Sequence, residues 1–146
     1  MSNVRASVTG RMGYRGDVYN IFLIAHVITA ITAFGPLFVY PALRRAGESA
    51  TLAKLHMRIV FPSLAVLWVL GMGLAGLSDG LIKVADLWIS LSIVVWAILM
   101  VTSWFLIRPS IHGGGQRETS MLGAGIGITH LGLVVGLYLM VFTPGF

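Results

Sequence analysis

Two histidines stand inside long apolar stretches. His26 lies in "VYNIFLIAHVITAITAFGPLFVYPAL", Val18 to Leu43, and His130 lies in "MLGAGIGITHLGLVVGLYLMVF", Met121 to Phe142. An ionisable side chain among apolar neighbours is costly, so function is the first hypothesis for both. Neutral imidazole ligates haem iron, copper or zinc through one ring nitrogen. A pair on two helices of a bundle would hold a cofactor such as haem b between them. Thr29, Ala30 and Ala33 share the face of His26, and Gly123 and Gly127 share that of His130. Such small residues leave room for a flat ligand. They are also what any membrane bundle uses to bring helices together, and a lone histidine can simply hydrogen-bond a threonine or a carbonyl. Both readings stay open at this point.

Other chemistries find less to stand on. Met72, Met100 and Met140 are soft thioether donors. Met72 falls at a depth near that of His26, which allows a weak His/Met copper site, although methionine is also ordinary gap-filling core. "GMGLAG", Gly71 to Gly76, has the G-x-G-x-x-G spacing but sits late in an apolar run, not between a strand and a helix. Close helix packing explains it better. Asp17, Asp79, Asp86, Glu48 and Glu118 all lie outside the apolar cores, so paired-carboxylate acid–base chemistry has no seat. Ser90 or Ser92 with His26 or His130 makes no recognisable nucleophile motif, and no run carries a charge ladder of channel type. With no cysteine among 146 residues, thiolate metal sites and disulfides are excluded. His56, beside Arg58, reads as an interfacial residue facing lipid headgroups, and His112 as a loop residue.

The elements that must position these residues follow from composition. Hydrophobic residues make up 57% of the chain and charged ones only 10%, with a mean hydropathy of +0.90. A soluble domain of this size needs far more polar surface. The expected fold is all-α: a four-helix transmembrane bundle, up-down-up-down, with both termini on the same side. A polar, basic tail covers 1–17, and the membrane domain covers 18–146, with spans at about 18–43, 52–77, 87–107 and 121–142. Each span has the roughly 20 residues that cross about 30 Å of hydrocarbon. The first run is too long for a signal peptide and lacks a small-residue cleavage site, so it reads as a retained span. Pro36 should kink span one and Pro41 should end it; Pro62 should bend span two; Arg108-Pro109 should close span three. Asp79-Gly80 signals a turn, and Trp88 and Trp104 sit where aromatic belts lie. On these boundaries His26 lies ~10 Å and His130 ~18 Å from the terminus-side surface, depths within one to two turns of each other.

The net charge of +5 is explained by Lys/Arg flanking the spans, where they meet anionic headgroups, rather than by nucleic acid. Arg5, Arg11, Arg15 and Lys83 fall on the terminus side; Arg44, Arg45, Lys54, Arg58, Arg108 and Arg117 fall on the other. That excess places the termini on the non-cytoplasmic side of a membrane, expected to be a bacterial cytoplasmic membrane.

The segments "HVITAITAFGPLFVYPALRRAG", "KLHMRIVFPSLAVLWVLGMGLAGL" and "LYLMVFTPG" resemble a bacterial family of small integral-membrane proteins of unknown function, over nearly the whole chain. More distantly the chain looks like the HemJ (protoporphyrinogen oxidase) and CopD (copper-resistance) membrane families. These share a histidine in the first span, a basic start and a proline in the second, and glycine at its end. The resemblance implies a haem- or porphyrin-linked role for His26 alone. The lysine that HemJ-like proteins carry at the start of the third span has no counterpart in "ADLWISLS", where the nearest lysine is Lys83 in the preceding loop.

The expected function is therefore a membrane protein that binds b-type haem, or a related porphyrin or metal, through His26 and His130 for electron transfer or cofactor handling. The rivals are an accessory subunit of a larger membrane complex or a homo-oligomer, packing through Gly-rich faces, and a small metal-ion transporter using His26 or Met72.

Overall fold

The computed structural model describes residues 2–78 and 83–143, with side chains from Gly16 onward. Among the described residues there is no strand. Four helical stretches are long and apolar enough to cross a membrane: Gly16–Arg45, Ser49–Leu77, Leu87–Ser110 and Gln116–Phe142. They are called spans one to four below. The turn expected at Asp79-Gly80 lies outside the described residues.

Proline divides the first three spans, and the physical reason is the same each time. A proline offers no N–H, so the carbonyl four residues before it loses its donor. Helix α1 (Ser2–Phe34) gives way at Gly35–Phe38 to a tighter 3₁₀ turn that carries Pro36, and Tyr40–Arg45 continues as α2. The break expected at Pro36 is therefore present. Pro41 was expected to end the helix; instead it occupies the first turn of α2, where a missing N–H leaves no bond unmade. The stretch expected to be a polar tail is helical from Ser2. In span two, α3 (Ser49–Leu55) passes through a π-helical turn, His56–Val60, into α4 (Phe61–Leu77). In span three, α5 (Leu87–Thr102) passes through a π-helical turn, Ser103–Ile107, into α6 (Arg108–Ser110). Both wide turns end just ahead of a proline, Pro62 or Pro109. The Phe61 N–H reaches back to the His56 carbonyl, and the Arg108 N–H to the Ser103 carbonyl, each five residues away. Widening the helix by one residue in this way lets the chain pass the proline ring without stopping. Span three thus runs on to Ser110 and does not close at Arg108-Pro109. Span four is the single helix α7 (Gln116–Phe142).

Span one ends in a Schellman motif. Gly47 takes φ of +75°, its N–H bonds the Arg44 carbonyl at 3.1 Å, and the Glu48 N–H bonds the Leu43 carbonyl at 3.0 Å. Only glycine enters that left-handed conformation without a steric cost, which explains the sharp stop.

The main apolar cluster gathers residues from all four spans: Ala33, Leu37, Leu64, Leu99, Ile107 and Ile126 are among its members. Outward-facing residues are also apolar: Ile31, Leu131, Val134 and Val141 are each well exposed. A surface of that kind suits hydrocarbon, not water.

Spans three and four meet closely at two glycines. A β-carbon at Gly125 would stand 2.7 Å from Ile107 Cγ1, and one at Gly132 would stand 2.6 Å from Leu99 Cδ2. Ile107 is fully buried and branches at the contact, so it has nowhere to go. Gly125→Ala should therefore cost about 1–3 kcal/mol by overpacking. Gly127→Ala, with nothing within 4 Å of its added carbon, should be neutral or stabilise by up to about 1 kcal/mol through helix propensity. Thermal melts of the two variants in one detergent compare them directly; equal melting points would show that the approach at Gly125 is not tight.

Candidate functional site

His26 projects from α1 onto α4. Its ring lies over Gly71: a β-carbon there would stand 3.3 Å from Cε1 and 3.8 Å from Nδ1. The Leu67 backbone carbonyl also faces the ring. One turn before His26, Phe22 covers Gly73 so closely that an added β-carbon would stand 2.7 Å from its ring. Two glycines of the "GMGLAG" stretch thus serve helix approach, as expected for that motif. His26 is only 8% exposed, and its Nδ1 is buried with no hydrogen-bond partner. A buried, unsatisfied imidazole nitrogen calls for an explanation, and a bound group is one.

His130 sits elsewhere. Its ring lies tilted against Phe38 with centroids 4.4 Å apart, at the far end of the 3₁₀ turn in span one. Phe38 lies twelve residues beyond His26, on the order of 18–20 Å along the span. Two imidazoles that share one metal ion bring their nitrogens to about 4 Å of each other, twice a metal–nitrogen bond. The shared His26/His130 site expected from depth is therefore not formed: the two residues occupy different levels. Span four ends at Phe142 as expected, so the separation comes from how spans one and four pack, with the 3₁₀ turn of span one at the level of His130, and not from a misplaced end of span four. His130 Nε2 is nonetheless buried without a partner. Met72 adjoins Gly71 in sequence and is half-buried.

The most developed polar cluster is one that sequence reasoning missed. His56, read as facing headgroups, is fully buried. Its Nε2 lies 3.1 Å from the Ser103 carbonyl and 3.1 Å from Ser103 Oγ, and its Nδ1 lies 3.0 Å from the Tyr40 hydroxyl. A carbonyl can only accept, so Nε2 carries the ring proton and Nδ1 accepts from Tyr40. Tyr40 is fully buried and Ser103 is 2% exposed. The cluster joins spans one, two and three, and His56 and Ser103 each open a π-helical turn. The wide turns and the bond between them form one unit: the turns place a side chain and a carbonyl face to face in the core. A signal for this existed in "HMRIVFP" and "SWFLIRP", where a polar residue stands six before a proline in both spans.

Trp88 departs from expectation as well. It is buried, and its indole Nε1 has no partner, whereas Trp104 is exposed as a belt residue should be. Phe61 meets Trp104 and Trp68 meets Trp96, each pair with centroids 5.3 Å apart, so later residues of span two face earlier residues of span three. Trp96 Nε1 donates to the Leu64 carbonyl at 2.8 Å. Trp88 lies eight residues before Trp96, and Gly71 seven after Leu64. His26 and Trp88 are thus level within about one turn.

Among the described residues no group of three or more His, Cys, Asp or Glu side chains is placed to hold a metal ion. No family model, no curated protein and no solved structure matches the chain.

Proposed function

We propose that the chain is an integral, multi-pass membrane protein, an up-down-up-down bundle with both termini on one side, and that His26 is its functional centre. The observation that carries this is the buried Nδ1 of His26, which makes no well-formed hydrogen bond although the Leu67 carbonyl faces the ring, beside the bare backbone of Gly71. The His26/His130 pair does not fit a bis-histidine haem. His26 alone remains a candidate for one imidazole ligand to haem b, a related porphyrin or a metal: its ring lies against the bare backbone of Gly71, and the Leu67 carbonyl faces it. The bound group would supply redox or ligand-exchange chemistry for electron transfer or cofactor handling. What the chain contributes is the ligand, its fixed ring plane and a water-poor setting that raises the strength of any such bond. The Lys/Arg excess on the Arg44–Lys54 and Arg108–Arg117 loops supports termini on the non-cytoplasmic side of a bacterial cytoplasmic membrane.

The test is an absorption spectrum of the protein purified in mild detergent under full haem supply, oxidised and then dithionite-reduced. A Soret band lost in His26→Ala and kept in His130→Ala is the expected result. A featureless spectrum in the native protein, or a Soret band that survives His26→Ala, overturns it.

A second reading has its own observation. Gly123 and Gly127 lie on the outside of span four with nothing within 4 Å of an added β-carbon. An open small-xxx-small face suits a further helix, from a larger membrane complex or from a second copy. A featureless spectrum together with a mass above that of one chain in the same preparation would favour this reading.

A further inference from the structure

A groove of about 530 Å³ lies between spans two and three, at the end where the Arg44–Lys54 loop emerges. Its walls are of two kinds. Ala53, Met57, Trp104 and Phe105 make an apolar floor, and Arg108 and His112 stand at its polar end. Phe105 is 63% exposed on the outer face of span three, so the groove opens onto the surface that faces hydrocarbon. The Arg108 guanidinium lies 4.0 Å over the Trp104 ring, which holds it at the rim. Among the described residues no carboxylate pairs with Arg108. The neighbourhood is strongly basic: Arg45, Lys54, Arg58 and Arg117 lie at this end with Arg108, against Glu48 and Glu118. Glu48 accepts a hydrogen bond from Thr51, and Glu118 packs over Gly113 and Gly115.

We propose that this groove binds an anionic glycerophospholipid of the surrounding bilayer, with its phosphate on Arg108 and an acyl chain along Met57, Trp104 and Phe105. A phosphate takes two parallel N–H bonds from one guanidinium, and tryptophan is at home at headgroup level. An occupant with one anionic end and one apolar end matches both walls, and the bilayer supplies it from the side on which the groove is open. A soluble anion would match only the polar end. The inference rests on the membrane reading and is independent of any role of His26.

The experiment uses the full chain in phosphatidylcholine vesicles that carry a small fraction of lipid with brominated acyl chains, which quench nearby tryptophan. Brominated phosphatidylglycerol should quench the Trp104 component about fivefold more effectively than the same fraction of brominated phosphatidylcholine, the enrichment expected for one basic residue near the surface. The Trp104 component is the part of the emission lost in Trp104→Phe. Arg108→Gln should bring the two lipids level, while Arg45→Gln should keep the difference. Unchanged quenching by brominated phosphatidylcholine shows that a variant is inserted; if Arg108→Gln fails to insert, Arg108→Lys replaces it and should lose most of the difference, because a point charge cannot make the paired bonds. Equal quenching by both lipids in the native protein overturns the proposal. So does a phosphatidylglycerol excess that survives at Arg108→Gln, or one that inorganic phosphate abolishes when chloride at equal ionic strength does not, since that would make the site one for a free anion.

Discussion

Replacing His56 with alanine should destabilise the protein by about 3 kcal/mol, the largest effect expected of any single truncation here. The residue is fully buried and bonded at both ring nitrogens. Truncation leaves a cavity in a packed core and orphans two polar groups, the Tyr40 hydroxyl and the Ser103 hydroxyl. Neither can turn to water, because both are buried. Interhelical hydrogen bonds inside membranes are individually modest, about 0.6–2 kcal/mol, so most of the loss should come from the cavity and the orphaned groups. Tyr40→Phe removes one bond and keeps the volume, and should cost only about 1 kcal/mol. The two variants and their double mutant, unfolded in mixed micelles of mild detergent and dodecyl sulfate, give the coupling energy directly. Strict additivity would show that the Tyr40–His56 contact carries no energy. A cost below about 1 kcal/mol for His56→Ala would remove the cluster from the list of what holds the spans together.

Arg44→Ala should follow at about 2–3 kcal/mol. Its guanidinium donates to the Ser110 carbonyl at 3.0 Å, the Ile111 carbonyl at 3.1 Å, the Gly113 carbonyl, and Thr119 Oγ1 at 3.2 Å. Ser110 and Ile111 lie at the end of span three, where helix carbonyls have no intrahelical donor. Thr119 lies in the first turn of span four. One cation thus ties the end of span one to the whole connection between spans three and four, and it lies at the negative end of the helix dipole it caps. Water can replace part of this, because the side chain is only half-buried, and that sets the cost below the sum of four charged bonds. Arg44→Lys should recover less than half, since an ammonium cannot span the same fork of acceptors. Amide exchange localises the effect: protection should fall first at residues 110–119. An unchanged exchange pattern there, with the same loss of stability, would refute the tie.

Both residues were visible in the sequence, and neither was visible in its role. Arg44 read as a positive-inside charge flanking span one, and it does stand at the end of span one. That it reaches the 110–119 connection depends on where span three ends, and the π-helical turn at Ser103–Ile107 carries span three on to Ser110. His56 beside Arg58 read as interfacial because sequence neighbours share a depth. They do not share a face: residues two apart on a helix point about 200° apart, and here Arg58 is exposed while His56 is buried.

What the sequence by itself determined is local. Four apolar runs of sufficient length appear as four helices, because hydrophobic length is a property of consecutive residues. The break at Pro36 and the stop at Gly47 are likewise local, set by a missing N–H and a left-handed φ. Tertiary structure alone decided which polar groups meet. His26 and His130 looked level because depth counted along each span ignores how the spans lean and pack against each other; the ring contact of His130 with Phe38 separates them. Tyr40, His56 and Ser103 come from three different spans, and their meeting depends on the register and rotation of each helix against the others, which two proline-induced π turns reset in mid-span. No single stretch of the chain encodes that register, since it arises from packing Ile107 into Gly125, Leu99 into Gly132 and His26 onto Gly71 at once.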